Sequence, residues 1–302
     1  MRRYCFHRHF ALGFLEGLGQ MTTAITIPLS EIQSLAPMPV SVIKLARSLA
    51  DSNVSFNSVA RIIEFDEALT YNMLKLANSA MLGGSTRVKT VKEAIIRIGT
   101  SHILKFIVAK HLQNALSQKL TGYGMDENEL WRHSVASALA AENVSQFLPR
   151  PVPGLSFTAA LMHDIGKVLV NRHLNADIVK AIKNKIEINH MTYIEAEQSV
   201  LGTDHAVIGS EVAVQAKFPN ELTTAIQYHH DPDSQANQII DTVHIANNVA
   251  KMTRDGLDSE WLNQFASEEA PMRLGLTVAS LEALCTRVQS NLNKAEELFR
   301  GE

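Results

Sequence analysis

The chain has 302 residues, and its 28 Lys plus Arg against 31 Asp plus Glu leave a net charge of only -3 with all 12 His neutral. That balance argues against a basic reader of nucleic acid. Hydrophobic residues at 46% and charged residues at 20% exclude a disordered chain and fit a globular protein long enough for a substantial core.

The first twenty residues carry Arg2, Arg3 and Arg8 ahead of a short apolar stretch, in the manner of a signal peptide. Glu16 interrupts that stretch and no small-x-small cleavage site follows, so residues 1–24 are expected to be an extension, disordered or outside the core, with Met21 as a natural start. From Thr26 onward apolar residues recur at spacings of three and four, and no segment alternates over strand length, which predicts an all-α fold. Pro37 and Pro39 close an irregular lead-in before a stripe of Ile43, Ala46 and Leu49, and a short helix holds Val59, Ile62 and Ile63. Leu69, Met73, Leu76 and Ala80 mark the next helix, which should stop at Gly83-Gly84. Thr90 and Glu93 form a T-x-x-E capping box ahead of Ile95 and Ile98, Gly99 breaks the rod, and Ile103, Ile107, His111 and Ala115 resume it. Gly122 and Gly124 flank a subdomain boundary.

Asp126 and Glu129 begin a helix with Leu130, His133, Ser137, Ala140, Val144 and Leu148 on its buried face, ended by Pro149, Pro151 and Pro153. A helix from Ser156 through Asp164 to about Val170 should follow, then helices near 174–189, 192–200, 204–217, 220–230 and 237–253. A last one from Thr277 to Phe299 carries Leu281, Leu284, Val288 and Leu292 on one face. No apolar run approaches the ~20 residues of a membrane span, so no membrane partner is expected. Cys5 and Cys285 stand too far apart to make a disulfide framework, which suggests a reducing, cytoplasmic setting.

The informative anomaly is where histidine and aspartate fall. Eight of the twelve His lie between 133 and 244, several at positions that the helical period assigns to an apolar face. Phe157, Leu161, Asp164 and Val168 share one face, so the Asp164 carboxylate points inward and must be paired, metal-bound or protonated. His163 sits about 100° away on the same helix, and with Lys167 it forms an i, i+4 pair that leaves the lysine near the rim. His133, His163, Asp164, His205, His229 and His230, from four helices, make a nitrogen and oxygen set suited to zinc, iron, manganese or nickel. Ordinary structural roles also fit them: a satisfied core imidazole for His133, helix capping for His163, Asp164 and Asp204-His205, and helix C-terminal charge for His229 and His230. His7, His9, His102, His111, His173 and His190 are read as structural, so a metal centre and a hydrogen-bonded cluster both remain open.

The segment Leu161-Met-His-Asp-Ile-Gly-Lys167 resembles the signature of the HD superfamily of helical, metal-dependent phosphohydrolases. More narrowly, Leu76-Ala-Asn-Ser-Ala80, Val91-Lys-Glu-Ala-Ile-Ile-Arg-Ile-Gly99, Trp131-Arg-His-Ser134, Asp204-His-Ala-Val-Ile-Gly209, Tyr228-His-His230 and Val243-His-Ile-Ala-Asn247 resemble the HDOD family, HD-related output domains of bacterial signalling proteins. The resemblance spans about residues 27–252. It implies a two-lobed helical bundle with an HD-type core at 25–253, divided into a lobe at 25–122 and an HD-like lobe at 123–253, with a helical tail at 254–302. It also implies metal ligation by His133 and by the His163-Asp164 pair, in which the aspartate can bridge two ions. His205, His229 and His230 resemble the extra ligands of the branch that hydrolyses cyclic dinucleotides, although that branch's glycine-tyrosine-proline segment is absent.

Where the superfamily pattern has its final aspartate, this chain has Asn247, an amide lacking the charge that makes carboxylate a tight ligand. One weakly held ion is therefore expected rather than two, unless Asp204 or Asp231 compensates. The resemblance supports a regulatory output module that works through a signalling protein partner. The alternative is an active phosphohydrolase acting on a nucleotide or cyclic dinucleotide, with Asp164 orienting water and Lys167 over the phosphate as its catalytic pair.

Overall fold

The computed structural model describes residues 25–35, 41–45, 55–79, 82, 86–255 and 267–300. The N-terminal extension with Cys5, His7 and His9, the prolines at 37 and 39, Ala46, Leu49, Ala80 and the Gly83-Gly84 pair lie outside them. Among the described residues the chain forms fifteen α-helices, two 3-10 turns and no sheet, so the all-α expectation holds.

Local chemistry explains the helix starts. Ser55, Asp66, Thr90, Asn175, Thr192 and Asp204 each stand one residue ahead of a helix and accept an amide of its first turn. Thr90 does cap the Glu93 amide, but the Glu93 carboxylate reaches the amide of Lys89. Both halves of a capping box are present at Thr192 and Glu195. Gly99, with φ at +85°, turns the chain between the helices Val91–Ile98 and Thr100–Leu116.

Six helices position the site: α1, Glu129–Asn143; α2, Leu155–Met162; α3, Gly166–His173; α4, His205–Gln215; α5, Asn220–Gln227; and α6, Gln238–Asp255. Helix α1 packs on α2 and α6, and α3 crosses α4. The C-terminal helix Val278–Arg300 folds back on α1 and α6, burying Leu281, Leu284, Val288 and Leu292 as their spacing predicted. Arg273, just before it, holds both carboxylate oxygens of the buried Asp241 at 2.6 and 3.0 Å, tying the tail to the start of α6.

Two helices differ from their expected course. The one carrying His133 stops at Asn143, and a 3-10 turn, Val144–Phe147, uses up the residues before the prolines. The predicted rod from Ser156 to Val170 is interrupted at His163, Asp164 and Ile165, where Ile165, Lys167 and Val168 each donate to the carbonyl three residues back. Such a turn advances about 120° per residue and brings side chains three apart into line. Lys167 therefore lies over Asp164 rather than pairing with His163, the reverse of the expected i, i+4 contact.

That tight turn delivers Gly166 to the backbone of α4. A Cβ on Gly166 would stand 2.0 Å from the His205 carbonyl oxygen and 2.6 Å from the Gly209 nitrogen. The two backbones therefore touch, which places Asp164 against His205. Gly166→Ala should cost about 3 kcal/mol or more by overpacking, read as a lower urea midpoint. Gly154→Ala, with nothing within 4 Å of the added carbon, should stay within about 1 kcal/mol of wild type.

Candidate metal centre

Asp164 stands at the middle of the site, buried in the turn between α2 and α3. Its two oxygens face different groups. Oδ2 lies 3.5 Å from His133 Nε2 and 3.3 Å from His163 Nε2, while Oδ1 lies 3.2 Å from His205 Nε2 and 3.8 Å from His229 Nε2. His230 joins the second group through its Nε2, 3.1 Å from that of His205. Within each group, Asp164 with His133 and His163, or Asp164 with His205, His229 and His230, the ligand atoms lie within 4.8 Å of one another. Six of the seven residues expected from sequence thus converge, from α1, the α2–α3 turn, α4 and the segment after α5.

The rings are aimed by their other nitrogens. His163 Nδ1 lies 2.7 Å from the Ala160 carbonyl, His229 Nδ1 2.6 Å from that of Ile226, and His205 Nδ1 2.6 Å from a carboxylate oxygen of Glu197. With Nδ1 turned to these acceptors, each Nε2 is aimed at Asp164, the orientation in which imidazole binds metal. His163 therefore bonds the end of its own helix rather than capping a neighbouring one, and His229, which burial drives well below the ordinary imidazole value, acts at the end of α5 through a hydrogen bond rather than through charge.

Two residues that sequence reasoning missed complete this scaffold. Glu197 is fully buried and accepts from the His205 amide as well as its ring and from the Tyr123 hydroxyl at 2.5 Å. Tyr123 comes from the 3-10 turn at the expected lobe boundary, and its ring lies under the Lys167 ammonium, 5.8 Å from the centroid. A glutamate eight residues before a candidate histidine was the available signal. His244, also passed over, donates from Nδ1 to the His229 carbonyl and so ties α6 to the ligand segment.

Asp204 does not compensate for the missing acid, because Oδ1 accepts the amides of Ala206 and Val207 and Oδ2 accepts from Gln198. Asp231 is exposed and bonds Ser234. Asn247 is buried on α6.

Burial opposes the charge on Asp164, but His163, Lys167 and the surrounding hydrogen bonds outweigh it and hold the carboxyl well below the usual range. Glu197 is likewise held down against burial by His205 and Tyr123. Burial drives His133, His229 and His230 well below the ordinary imidazole value. His205 goes the other way: burial resists its protonation, yet Glu197 raises it to about 9.

The donor set can be tested against a metal without reference to any relative. One proton between His133 and His163, 3.2 Å apart, and one between His205 and His230 would satisfy those pairs. Among the candidate ligand atoms, His229 Nε2 and Asn247 Oδ1 are buried with no hydrogen-bond partner among the described residues, while Asp164 Oδ1 faces the rings of His205 at 3.2 Å and His229 at 3.8 Å. An anionic oxygen flanked by imidazole nitrogens, one of them buried without a partner, fits a cation. The buried His/Asp group could therefore hold a metal ion.

The family profile "HDOD domain" matches residues 35–232. The chain belongs to the HDOD family. Among solved structures, this HDOD protein is similar to "HDOD domain protein with unknown function" of Geobacter sulfurreducens, with TM-score 0.65 and 22% identity over 88% of this chain and 95% of that one. It is similar to "Putative phosphohydrolase" of Shewanella amazonensis SB2B, with TM-score 0.65 and 21% identity over 90% and 97% of the two chains. "Putative signal transduction protein" of Marinobacter aquaeolei VT8 gives TM-score 0.67 and 18% identity over 92% of this chain and 62% of that one. At these identities the likeness is one of fold. A curated relative, "Uncharacterized protein" of Treponema pallidum (strain Nichols), is 23% identical over 249 residues, and the chain spans 46% of its length.

The scaffold role of Tyr123 is directly measurable. Tyr123→Phe removes a hydrogen bond to the buried Glu197 carboxylate and should cost about 1.5–3 kcal/mol in urea unfolding of chelator-treated protein. Tyr71→Phe, on an exposed side chain, should change stability by no more than about 0.5 kcal/mol.

Proposed function

We propose that this HDOD protein is a regulatory output module in which a divalent ion, held by the His/Asp centre, locks the bundle in the form that a signalling partner reads. The observation that carries this reading is the convergence of Asp164, His205, His229 and His230 on one buried point, with His229 Nε2 left without a hydrogen-bond partner among the described residues. Bound there, a divalent ion supplies positive charge and Lewis acidity. The nitrogen and oxygen donors suit manganese, iron, zinc or nickel. Asp164, His205 and His229 belong to segments far apart in sequence, so an ion shared by them cross-links α3, α4 and the end of α5.

The closure of the centre favours regulation over turnover. His163, Asp164, His205 and His229 are buried, and the side chains of His133 and Lys167 are only 11% and 16% exposed. The missing superfamily aspartate, with Asn247 in its place, points the same way. A buried, unpaired Cys285 suits a reducing compartment such as the cytoplasm. Two structural relatives, the "Putative signal transduction protein" of Marinobacter aquaeolei VT8 and the "Putative phosphohydrolase" of Shewanella amazonensis SB2B, bear names that span the two readings.

The second reading, a metal-dependent phosphohydrolase acting on a nucleotide or cyclic dinucleotide, draws on Lys167. Its ammonium donates to Asp164 at 2.6 Å from a side chain that is 16% exposed, and in this reading it holds a phosphate oxygen while Asp164 orients water.

Nucleotides, cyclic dinucleotides and a generic phosphodiester, each offered with manganese and with iron, should be hydrolysed no faster by wild type than by Asp164→Ala. Manganese at about one hundred times its dissociation constant should meanwhile stabilise wild type by about 2.7 kcal/mol, raising its melting temperature but not that of Asp164→Ala. Turnover lost in Asp164→Ala would make the enzyme reading correct, and turnover gained in Asn247→Asp would identify a decayed enzyme.

A further inference from the structure

The two halves of the centre are not chemically equivalent. Each half has a pair of imidazoles close enough to share a proton, His133 with His163 at 3.2 Å and His205 with His230 at 3.1 Å, but only on the His133/His163 side does an ammonium, Lys167 Nζ, donate to Asp164, at 2.6 Å from Oδ2. The ammonium is held there by the tight turn that aligns residues 164 and 167 and by the Tyr123 ring beneath it. On the other side, Asp164 Oδ1 faces imidazole nitrogens in place of an ammonium, His205 Nε2 at 3.2 Å and His229 Nε2 at 3.8 Å, and His229 Nε2 is buried with no hydrogen-bond partner among the described residues.

Charge divides the halves in the same way. Lys167 places its positive charge 2.6 Å from Asp164 Oδ2 and so offsets the carboxylate on that side. Glu197 adds a second buried carboxylate behind His205, 2.6 Å from its Nδ1, which strengthens Nε2 as a ligand. A dication brought to the Lys167 side would meet an ammonium on the one anionic oxygen available to it. A dication brought to the His205 side meets an anionic oxygen and a ring backed by a further anion.

The geometry points to an asymmetric centre that binds one divalent ion, between Asp164 Oδ1, His205, His229 and His230, with the Lys167 ammonium standing in for a second ion on Asp164 Oδ2. This inference rests on the reading of the cluster as a metal centre. It assigns the single occupancy to Lys167, a residue inside the site, rather than to Asn247. The lysine thereby acts as a built-in cation that keeps the His133/His163 half closed to metal.

The test counts ions rather than turnover. Full-length protein without a histidine tag is stripped with chelator, loaded with manganese(II) or zinc(II), desalted and subjected to elemental analysis, with affinities from calorimetry and folding checked by far-ultraviolet circular dichroism. Wild type should hold one ion per chain and Lys167→Met two, with Lys167→Gln used if the methionine variant does not fold. His133→Ala should keep the wild-type ion with affinity changed less than about threefold, whereas His230→Ala should lose about tenfold or more. Two ions in wild type, one in both folded Lys167 variants, or loss of the ion in His133→Ala but not in His230→Ala would overturn the asymmetry while leaving a metal centre in place. Failure of every protein to retain either ion would overturn the metal reading as well.

Discussion

A single ionised carboxylate buried among histidines sets the terms for the rest of this bundle. Taking the Asp164 charge out of water carries a penalty of several kcal/mol, which only close partners can offset. The partners come from every side: Lys167 on one oxygen, His133 and His163 around it, and His205 and His229 at the other. The fold must therefore bring four separate segments within reach of one side chain. It does so through a backbone contact in which the absence of a Cβ at Gly166 lets α3 lie directly on α4. The site's geometry is in this sense a property of helix crossing, fixed before any ligand arrives.

Orientation adds a second layer to proximity. A histidine near an aspartate is ambiguous, because either ring nitrogen can carry the proton. Here carbonyls at the ends of α2 and α5, and the Glu197 carboxylate, take the Nδ1 protons of His163, His229 and His205 and leave Nε2 facing inward. The same Glu197 links the site to Tyr123 at the junction between the two expected lobes. A change in the packing of that junction would reach His205 through two hydrogen bonds, which is a physical route by which a regulatory module could couple its halves.

Much of this was legible in the sequence. The three-and-four spacing gave the helices and their buried faces, and the placement of His133, His163, Asp164, His205, His229 and His230 gave the cluster, because a polar side chain on an apolar stripe needs a partner. Periodicity failed where the helix departs from 3.6 residues per turn. The break at His163–Ile165 leaves the apolar pattern intact, since the helix before it is buried nearly all round and Val168, Leu169 and Val170 after it are buried as well, so nothing in the pattern announces the turn that pairs Lys167 with Asp164. Glu197 escaped notice because a glutamate in an amphipathic helix reads as a solvated residue until its burial is known. Gly166 and Gly209 were quoted within motifs, but their role is a distance between backbones, which has no one-dimensional signature.

The arrangement implies that metal, if it enters, finds a prepared half and a half already filled by a lysine. The most direct measurement is anomalous X-ray diffraction from a crystal grown with zinc or manganese. The account predicts one strong anomalous peak, about 2.0–2.2 Å from Asp164 Oδ1 and from Nε2 of His205, His229 and His230, with the Lys167 ammonium still on Oδ2. A peak between His133 and His163 of equal or greater height, or no peak at the cluster at all, would contradict it.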